Sequence, residues 1–203
     1  MKKLIIIFIA GMLSMNTFAG TPDEGMWLPI FVERLNYLDM QEMGLQLTAD
    51  EIYSINNSSM KDAIVNFGNF CTAEVVSENG LLFTNHHCGY GAIQSVSTVE
   101  ADYLKNGFWA KTPEEEIPIE DLSVQFLIRI EPATNEVLEG VTDETSESER
   151  ARIIDENIKK IIEKATKDTH YNASVKSFYN GNEYYTFVYE TYQDVRLTGT
   201  PPE

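Results

Sequence analysis

The most informative segment of the chain reads Cys71-Thr-Ala-Glu-Val-Val-Ser-Glu-Asn-Gly-Leu-Leu-Phe-Thr-Asn-His-His-Cys88. Its two apolar runs flank Ser77-Glu-Asn-Gly80, and Asn-Gly is a strong short-range signal for a β-hairpin turn. The pattern predicts a strand from Cys71, a tight turn, and a return strand over residues 81–84. Because Cys71 and Cys88 lie at similar distances before and after the turn, antiparallel pairing should bring their sulfurs within disulfide reach.

The residue directly before Cys88 is His87, which this disulfide would hold at the end of the return strand. An imidazole exchanges a proton near neutral pH and is therefore a common general base in enzymes. To act as one, His87 needs a carboxylate that orients its ring and a nucleophile that gives up a proton. His86 is the neighbouring alternative. Successive side chains of a strand face opposite ways, so only one of the two histidines can face a catalytic cleft.

A zinc site built from His86, His87 and Cys88 is disfavoured, because adjacent residues of an extended chain point apart and structural zinc ligands come in spaced pairs. No serine of the chain lies in a glycine-rich loop of the kind that binds an oxyanion. We therefore predict neither a metal site nor a serine nucleophile in this chain.

Further strands and one long helix follow from the rest of the pattern. Runs of β-branched and aromatic residues predict strands at residues 63–67, 122–130, 173–178 and 184–195. Residues 145–167 predict an amphipathic helix with one apolar stripe, acidic residues early and lysines late. Thr48-Ala-Asp-Glu51 is a capping box, which predicts a short helix over residues 49–55.

The N-terminus has the features of a secretory signal peptide. Lys2 and Lys3 precede an apolar run over residues 4–15, and Thr17 and Ala19 are small residues suited to cleavage after Ala19. The apolar run is too short for a comfortable membrane span, so an uncleaved anchor is the weaker alternative. We predict a signal peptide over residues 1–19 and an exported protein that is periplasmic or secreted. No later segment is long and apolar enough to predict a membrane span.

The composition of the chain indicates which binding partners, disulfides and domain size to expect. The 203-residue chain has a net charge of −17, and such an acidic surface repels phosphate backbones, so nucleic acid is not an expected partner. The two cysteines of an exported chain suggest a single disulfide. What remains after loss of the signal peptide is long enough for one ordinary domain with its own core.

Several motifs resemble those of a known family. Thr84-Asn-His-His-Cys88 resembles the Thr-Ala-Ala-His-Cys signature of chymotrypsin-like serine peptidases, whose catalytic histidine directly precedes a disulfide-bonded cysteine. More narrowly, the chain resembles the bacterial dipeptidyl-peptidases of peptidase family S46, the dipeptidyl-peptidase 7 and 11 group. The resembling segments are Glu24-Gly-Met-Trp27, Leu47-Thr-Ala-Asp-Glu-Ile-Tyr-Ser-Ile-Asn56, Glu78-Asn-Gly-Leu-Leu-Phe-Thr-Asn-His-His-Cys-Gly-Tyr90, Asn106-Gly-Phe-Trp109 and Tyr189-Glu-Thr-Tyr-Gln-Asp-Val-Arg-Leu197.

The resemblance implies a mainly β fold: a chymotrypsin-like β-barrel, part of a double β-barrel, with an added amphipathic helix and N-terminal helical turns. It implies a serine-type exopeptidase that needs no cofactor and releases dipeptides from peptides with a free N-terminus. A homodimer would fit full-length members of the family. Of the His-Asp-Ser triad, the histidine matches His87. The family's aspartate and serine lie in Gly-Gly-Asp and Gly-Asn-Ser-Gly-Ser motifs, which do not occur here.

We therefore expect residues 20–203 to be the N-terminal portion of the peptidase domain, inactive on its own. The alternative is an inactive exported β-barrel module that serves binding or interaction. Three other conspicuous residue types have plainer interpretations: Asp121 as a surface carboxylate at a strand end, Trp27 and Trp109 as core or barrel-lid aromatics, and His170 as a surface residue.

Overall fold

The computed structural model of the protein describes residues 27–202, so the predicted signal peptide and residues 24–26 lie outside the described part of the chain. The described residues contain ten strands. They are β1 (Ile64–Phe67), β2 (Cys71–Val75), β3 (Leu82–Thr84), β4 (Phe108–Trp109), β5 (Ile117–Pro118), β6 (Val124–Pro132), β7 (Asn172–Phe178), β8 (Glu183–Tyr192), β9 (Arg196–Leu197) and β10 (Gly199–Thr200).

Six of these strands form one antiparallel sheet in the order β3-β2-β1-β6-β8-β7. β4 pairs with β10, and β5 pairs with β9, in two short ribbons. The predicted mainly β class is confirmed. Within residues 27–202 the six-stranded sheet stays open, because β3 and β7 are its two edges and do not pair with each other.

The helices are short except for two. They are α1 (Val32–Leu35), α2 (Tyr37–Glu42), α3 (Ala49–Ile52), α4 (His86–Val96), α5 (Tyr103–Asn106), α6 (Thr134–Val137) and α7 (Glu147–Thr166). The described residues contain no helix that is both long enough and apolar enough to cross a lipid bilayer.

The predicted hairpin around Asn79-Gly80 is present. Ala73 pairs with Thr84 and Val75 with Leu82 across β2 and β3. Gly80 has a φ of 78°, a left-handed conformation that glycine adopts without strain, and its amide donates to the carbonyl of Ser77 at 3.2 Å. This turn aligns β2 with β3.

The predicted capping box also forms, but the helix after it is shorter than expected. The Glu51 amide donates to the Thr48 hydroxyl at 3.2 Å, and the Thr48 amide donates to the Glu51 carboxylate at 2.7 Å. α3 then ends at Ile52, because Tyr53 is extended and its phenol oxygen accepts the amide of Ile130 at 3.0 Å. That bond ties the N-terminal segment to strand β6.

The long helix α7 closes one side of the sheet. Its apolar stripe lies as predicted, with Ile161 only 8% exposed in a cluster with Val137 and Tyr184. Asn157 joins α7 to the end of α6 by donating to the carbonyls of Val137 and Glu139, at 3.1 and 2.9 Å. The other face of the sheet packs against the N-terminal segment through a largely aromatic cluster: Leu28, Ile130, Tyr185 and Phe187.

Candidate active site

The corner where β3 leads into α4 carries the predicted site. β3 ends at Thr84, and the chain turns directly into α4 at His86. The interpretation of His87 as a strand-end residue is therefore wrong. His86, His87 and Cys88 form the first turn of a helix, where successive side chains are rotated by about 100° rather than alternating between two faces.

The structure contains the predicted disulfide between Cys71 and Cys88, with a Cα–Cα distance of 6.0 Å. It joins the first residue of β2 to the first turn of α4. Cys88 is 5% exposed and belongs to the core cluster with Val65, Phe67 and Ala73. The turn is further held by the carbonyl of Asn85, which accepts the amide of Cys88 at 2.9 Å and that of Gly89 at 3.3 Å. The backbone on both sides of His87 is thus anchored to the core.

The two histidines have different surroundings, although both are exposed. A ring nitrogen of His87 lies within 4.8 Å of the sulfurs of Cys71 and Cys88. The ring of His86 instead meets the edge of Tyr90, with a centroid distance of 5.7 Å. Among residues 27–202, no side chain hydrogen-bonds to a ring nitrogen of His87. Within the described part of the chain, no hydrogen bond therefore orients the His87 ring.

The other sequence candidates lie elsewhere. His170 is on the surface, as predicted, and its Nε2 is 2.8 Å from the Glu190 carboxylate. Asp121 is exposed in a turn with a φ of 60°. Ser54, which the sequence did not single out, is buried, and its hydroxyl accepts the amides of Asn56 and Asn57 and so shapes a turn. None of these residues hydrogen-bonds to His87.

The structure shows one grouping that the sequence interpretation did not consider. The ligand atoms of Cys71, His87 and Cys88 lie within 4.8 Å of one another. The disfavoured zinc site used His86 in place of Cys71, and the only signal for the actual grouping was the predicted hairpin register. Because the two sulfurs are bonded to each other, neither can bind a metal ion in this oxidised form.

Of the two interpretations of Trp27 and Trp109, burial in the core is wrong, because they are 51% and 67% exposed. Trp109 nevertheless has a defined partner, because its ring covers Gly199 on the paired strand β10, where an added Cβ would lie 2.5 Å from the ring. The Asn106-Gly-Phe-Trp109 motif thus holds the β4–β10 ribbon together.

The candidate site thus consists of the exposed imidazole of His87 on the first turn of α4. The Cys71–Cys88 disulfide joins this turn to the β2–β3 hairpin. The family profile described as Peptidase S46 matches residues 22–203. This chain belongs to peptidase family S46. The motifs that carried the resemblance, including the His87-Cys88 pair, lie within or overlap the matched range.

Curated relatives of this S46 chain are dipeptidyl-peptidases. Dipeptidyl-peptidase 7 of Capnocytophaga gingivalis is 47% identical over 203 residues, which is all of this chain and 28% of that protein. An Asp/Glu-specific dipeptidyl-peptidase of the same organism is 49% identical over 178 residues, which is 88% of this chain and 25% of that protein. The S46 chain therefore spans about a quarter of the length of these relatives.

A solved structure shares the fold. The crystal structure of Porphyromonas endodontalis DPP11 in complex with the dipeptide Arg-Glu matches with a TM-score of 0.77 and 39% sequence identity. The match covers 89% of this chain and 26% of that one. The fold described above is therefore also that of about a quarter of the DPP11 chain in that complex.

Proposed function

We propose that residues 20–203 form the N-terminal portion of a serine-type dipeptidyl-peptidase in which His87 is the general base. The observation that carries this proposal is the placement of His87. Its exposed imidazole stands on a helix turn that the Cys71–Cys88 disulfide ties to the core, in a chain of family S46.

The reaction assigned to His87 is proton transfer. As a serine hydroxyl attacks a peptide carbonyl, the imidazole takes the hydroxyl proton and then gives it to the leaving amine. The step needs a carboxylate on the other ring nitrogen and donors for the oxyanion. Because residues 27–202 place no such carboxylate or serine at His87, we assign those groups to a longer protein that contains this chain.

The substrates we propose are peptides with a free N-terminus, from which the enzyme releases dipeptides. Support comes from the relatives, which are named dipeptidyl-peptidases, and from the dipeptide bound to the solved relative. We further propose that the protein is exported to the periplasm or secreted after cleavage of residues 1–19, and that the full-length enzyme is a homodimer. The disulfide supports export, because disulfides persist in oxidising compartments.

The test begins with the gene. We expect the reading frame to continue beyond the codon for Glu203 into Gly-Gly-Asp and Gly-Asn-Ser-Gly motifs. The full-length product should release dipeptides from a fluorogenic peptide with a free N-terminus and leave the N-acetylated peptide intact. A stop codon directly after Glu203 would contradict the proposal and favour an inactive exported binding module.

A further inference from the structure

The chain contains three Asn-Gly pairs: Asn79-Gly80, Asn106-Gly107 and Asn180-Gly181. Asparagine is a chemically labile residue, because the backbone nitrogen of the residue that follows can attack its side-chain amide. A following glycine has no side chain to hinder that attack, so all three pairs share a reactive local sequence. A difference in reactivity between them must therefore come from the fold.

We propose that Asn79 is a modification site that converts spontaneously to aspartate and isoaspartate, whereas Asn106 and Asn180 are protected by the fold. The nitrogen of Gly80 loses its proton and bonds to the side-chain carbonyl carbon of Asn79, and the side-chain nitrogen takes up a proton and leaves as ammonia. Water then opens the resulting succinimide ring. Breaking the ring nitrogen's bond to the side-chain carbonyl gives aspartate, and breaking its bond to the main-chain carbonyl gives isoaspartate. Water is the sole co-reactant, and nothing is oxidised or reduced.

The loop that carries Asn79 leaves room for this reaction. Asn79 and Gly80 are both exposed, and a Cβ added at Gly80 would have no atom within 4 Å. Within residues 27–202 the side chain of Asn79 makes no hydrogen bond that would hold it away from the Gly80 nitrogen. The Gly80 amide donates one bond, to the carbonyl of Ser77 at 3.2 Å. The attack therefore requires the loss of that single long hydrogen bond.

The Asn106-Gly107 pair is held on two sides. Asn106 is the last residue of α5, and the Gly107 amide donates to the carbonyl of Tyr103 at 3.1 Å. A Cβ added at Gly107 would lie 2.9 Å from the backbone nitrogen of Pro202, so the chain after β10 packs closely against this peptide. Rotating the peptide far enough to close the ring would unwind the end of α5 and separate it from that segment.

The Asn180-Gly181 pair is exposed at Asn180 but lies in a closed turn. Tyr179, Asn180 and Gly181 are all left-handed, with φ values of 50°, 59° and 83°. Asn182 closes the turn, because its backbone amide and its side-chain amide both donate to the carbonyl of Tyr179, at 3.3 and 2.7 Å. A Cβ added at Gly181 would lie 3.3 Å from the phenol oxygen of Tyr184. Ring closure at Asn180 must therefore disrupt several contacts.

The modification adds a negative charge to the hairpin loop, and isoaspartate also adds one atom to its backbone. The loop lies beyond the last pair of the hairpin, Val75 with Leu82, and the Cys71–Cys88 disulfide joins the other end. We therefore expect the modified protein to stay folded and to keep its disulfide. The proposal does not depend on the function assigned to His87.

The experiment incubates the oxidised full-length product of the gene in mildly alkaline buffer. Samples are digested at acidic pH, where the reaction is slow, and the three Asn-Gly peptides are quantified by mass spectrometry. We expect the Asn79 peptide to gain the mass of an amide-to-acid exchange more than about tenfold faster than the other two, because each further hydrogen bond that must open lowers the reactive population. Both aspartate and isoaspartate should form, since direct hydrolysis of the side chain gives aspartate alone.

Two controls separate the fold from the sequence. In the reduced, denatured protein the three pairs should react at similar rates, because each has the same following residue. Asn79→Gln should abolish the reaction at that position, since ring closure would need a larger ring, and should leave the rates at Asn106 and Asn180 unchanged. Far-UV circular dichroism before and after incubation shows that the native sample remains folded. Equal rates in the native protein, faster reaction at Asn106 or Asn180, or a preference for Asn79 that persists in denaturant would overturn the proposal.

Discussion

At the scale of single residues, the difference between His86 and His87 comes from what holds each ring. His87 lies beside the disulfide that anchors its helix turn, whereas His86 contacts the exposed ring of Tyr90. Both histidines belong to the helix turn that the disulfide anchors, so the anchoring of the backbone does not by itself distinguish them. The choice of His87 over His86 as the general base therefore rests on the motif resemblance and stays a prediction.

The first prediction compares the two histidines in the full-length protein. His87→Ala should lower kcat for a dipeptidyl substrate by several orders of magnitude, because the attacking hydroxyl loses its base. His86→Ala should retain most activity, since its ring packs against the edge of Tyr90 and is not the proposed base. Steady-state kinetics on variants with unchanged circular dichroism check this. An inactive His86→Ala beside an active His87→Ala would move the assignment by one residue.

The second prediction concerns the disulfide. Cys71 and Cys88 are 17 residues apart, and a bridge that closes a loop of this length stabilises by about 3 kcal/mol. The double variant Cys71→Ala, Cys88→Ala should lower the free energy of unfolding by roughly that amount in urea titrations. Non-reducing peptide mapping of the unaltered chain should recover the linked pair, and two freely alkylated thiols in native protein would contradict the pairing.

At the scale of elements, the formation of helix α4 is determined by packing rather than by the helix propensity of its residues. It begins with two histidines and contains Gly89 and Gly91, which are poor helix formers. Two residues of α4, Cys88 and Ile93, are buried, and their burial offsets the weak helix propensity. The sequence pattern therefore located the residues of the site but missed the helix that carries them. The β2–β3 hairpin was predictable because Asn79-Gly80 is a local signal.

The third prediction compares two glycines: one whose backbone conformation and neighbours exclude a side chain, and one that has room for a Cβ. Gly107 has a φ of 73°, and an added Cβ would lie 2.9 Å from the Pro202 backbone nitrogen, so Gly107→Ala should destabilise by about 1–3 kcal/mol. Gly91 in α4 has nothing within 4 Å of an added Cβ. Gly91→Ala should therefore stabilise by about 0.5–1 kcal/mol. Thermal unfolding of both variants checks the opposite signs, and equal shifts would refute this view of the β4–β10 ribbon.

The fourth prediction tests the packing of α7. Ile161 is 8% exposed between α6 and the sheet, so Ile161→Ala should cost about 2–4 kcal/mol through lost burial and a residual cavity. Lys160→Ala, on the exposed side of the same helix, should change stability by less than about 0.5 kcal/mol. Urea titrations measure both variants. If both variants lowered the free energy of unfolding by similarly small amounts, α7 would contribute little to the core.

At the scale of the whole molecule, the sequence predicted the positions of the strands better than it predicted which side chains are buried. β1, β2, β7, β8 and the long helix lie close to their predicted positions because each has a repeating apolar pattern. The exposure of Trp27 and Trp109 did not follow, because an aromatic side chain favours burial but only the fold decides what covers it. The grouping of Cys71 with His87 likewise depends on the turn into α4, which no local pattern predicts.

The fifth prediction is that the 203-residue chain by itself does not hydrolyse dipeptidyl substrates. A lone imidazole without a carboxylate or nucleophile contributes little to amide hydrolysis. Purified chain and its His87→Ala variant should give the same background rate with a fluorogenic substrate. Turnover clearly above that of the variant would show that a nucleophile lies within the chain.

The sheet order has a consequence for timing during synthesis and export. The disulfide joins residues 17 apart, whereas Asn66 on β1 pairs with Gln125, and Gln125 pairs with Thr191. Contacts between near neighbours in the sequence form sooner, because closing a longer loop costs more entropy. If the protein is exported as proposed, the hairpin and its bridge can therefore form as soon as Cys88 reaches an oxidising compartment. The turn that carries His87 would then be anchored while β6, β7 and β8 are still being translocated.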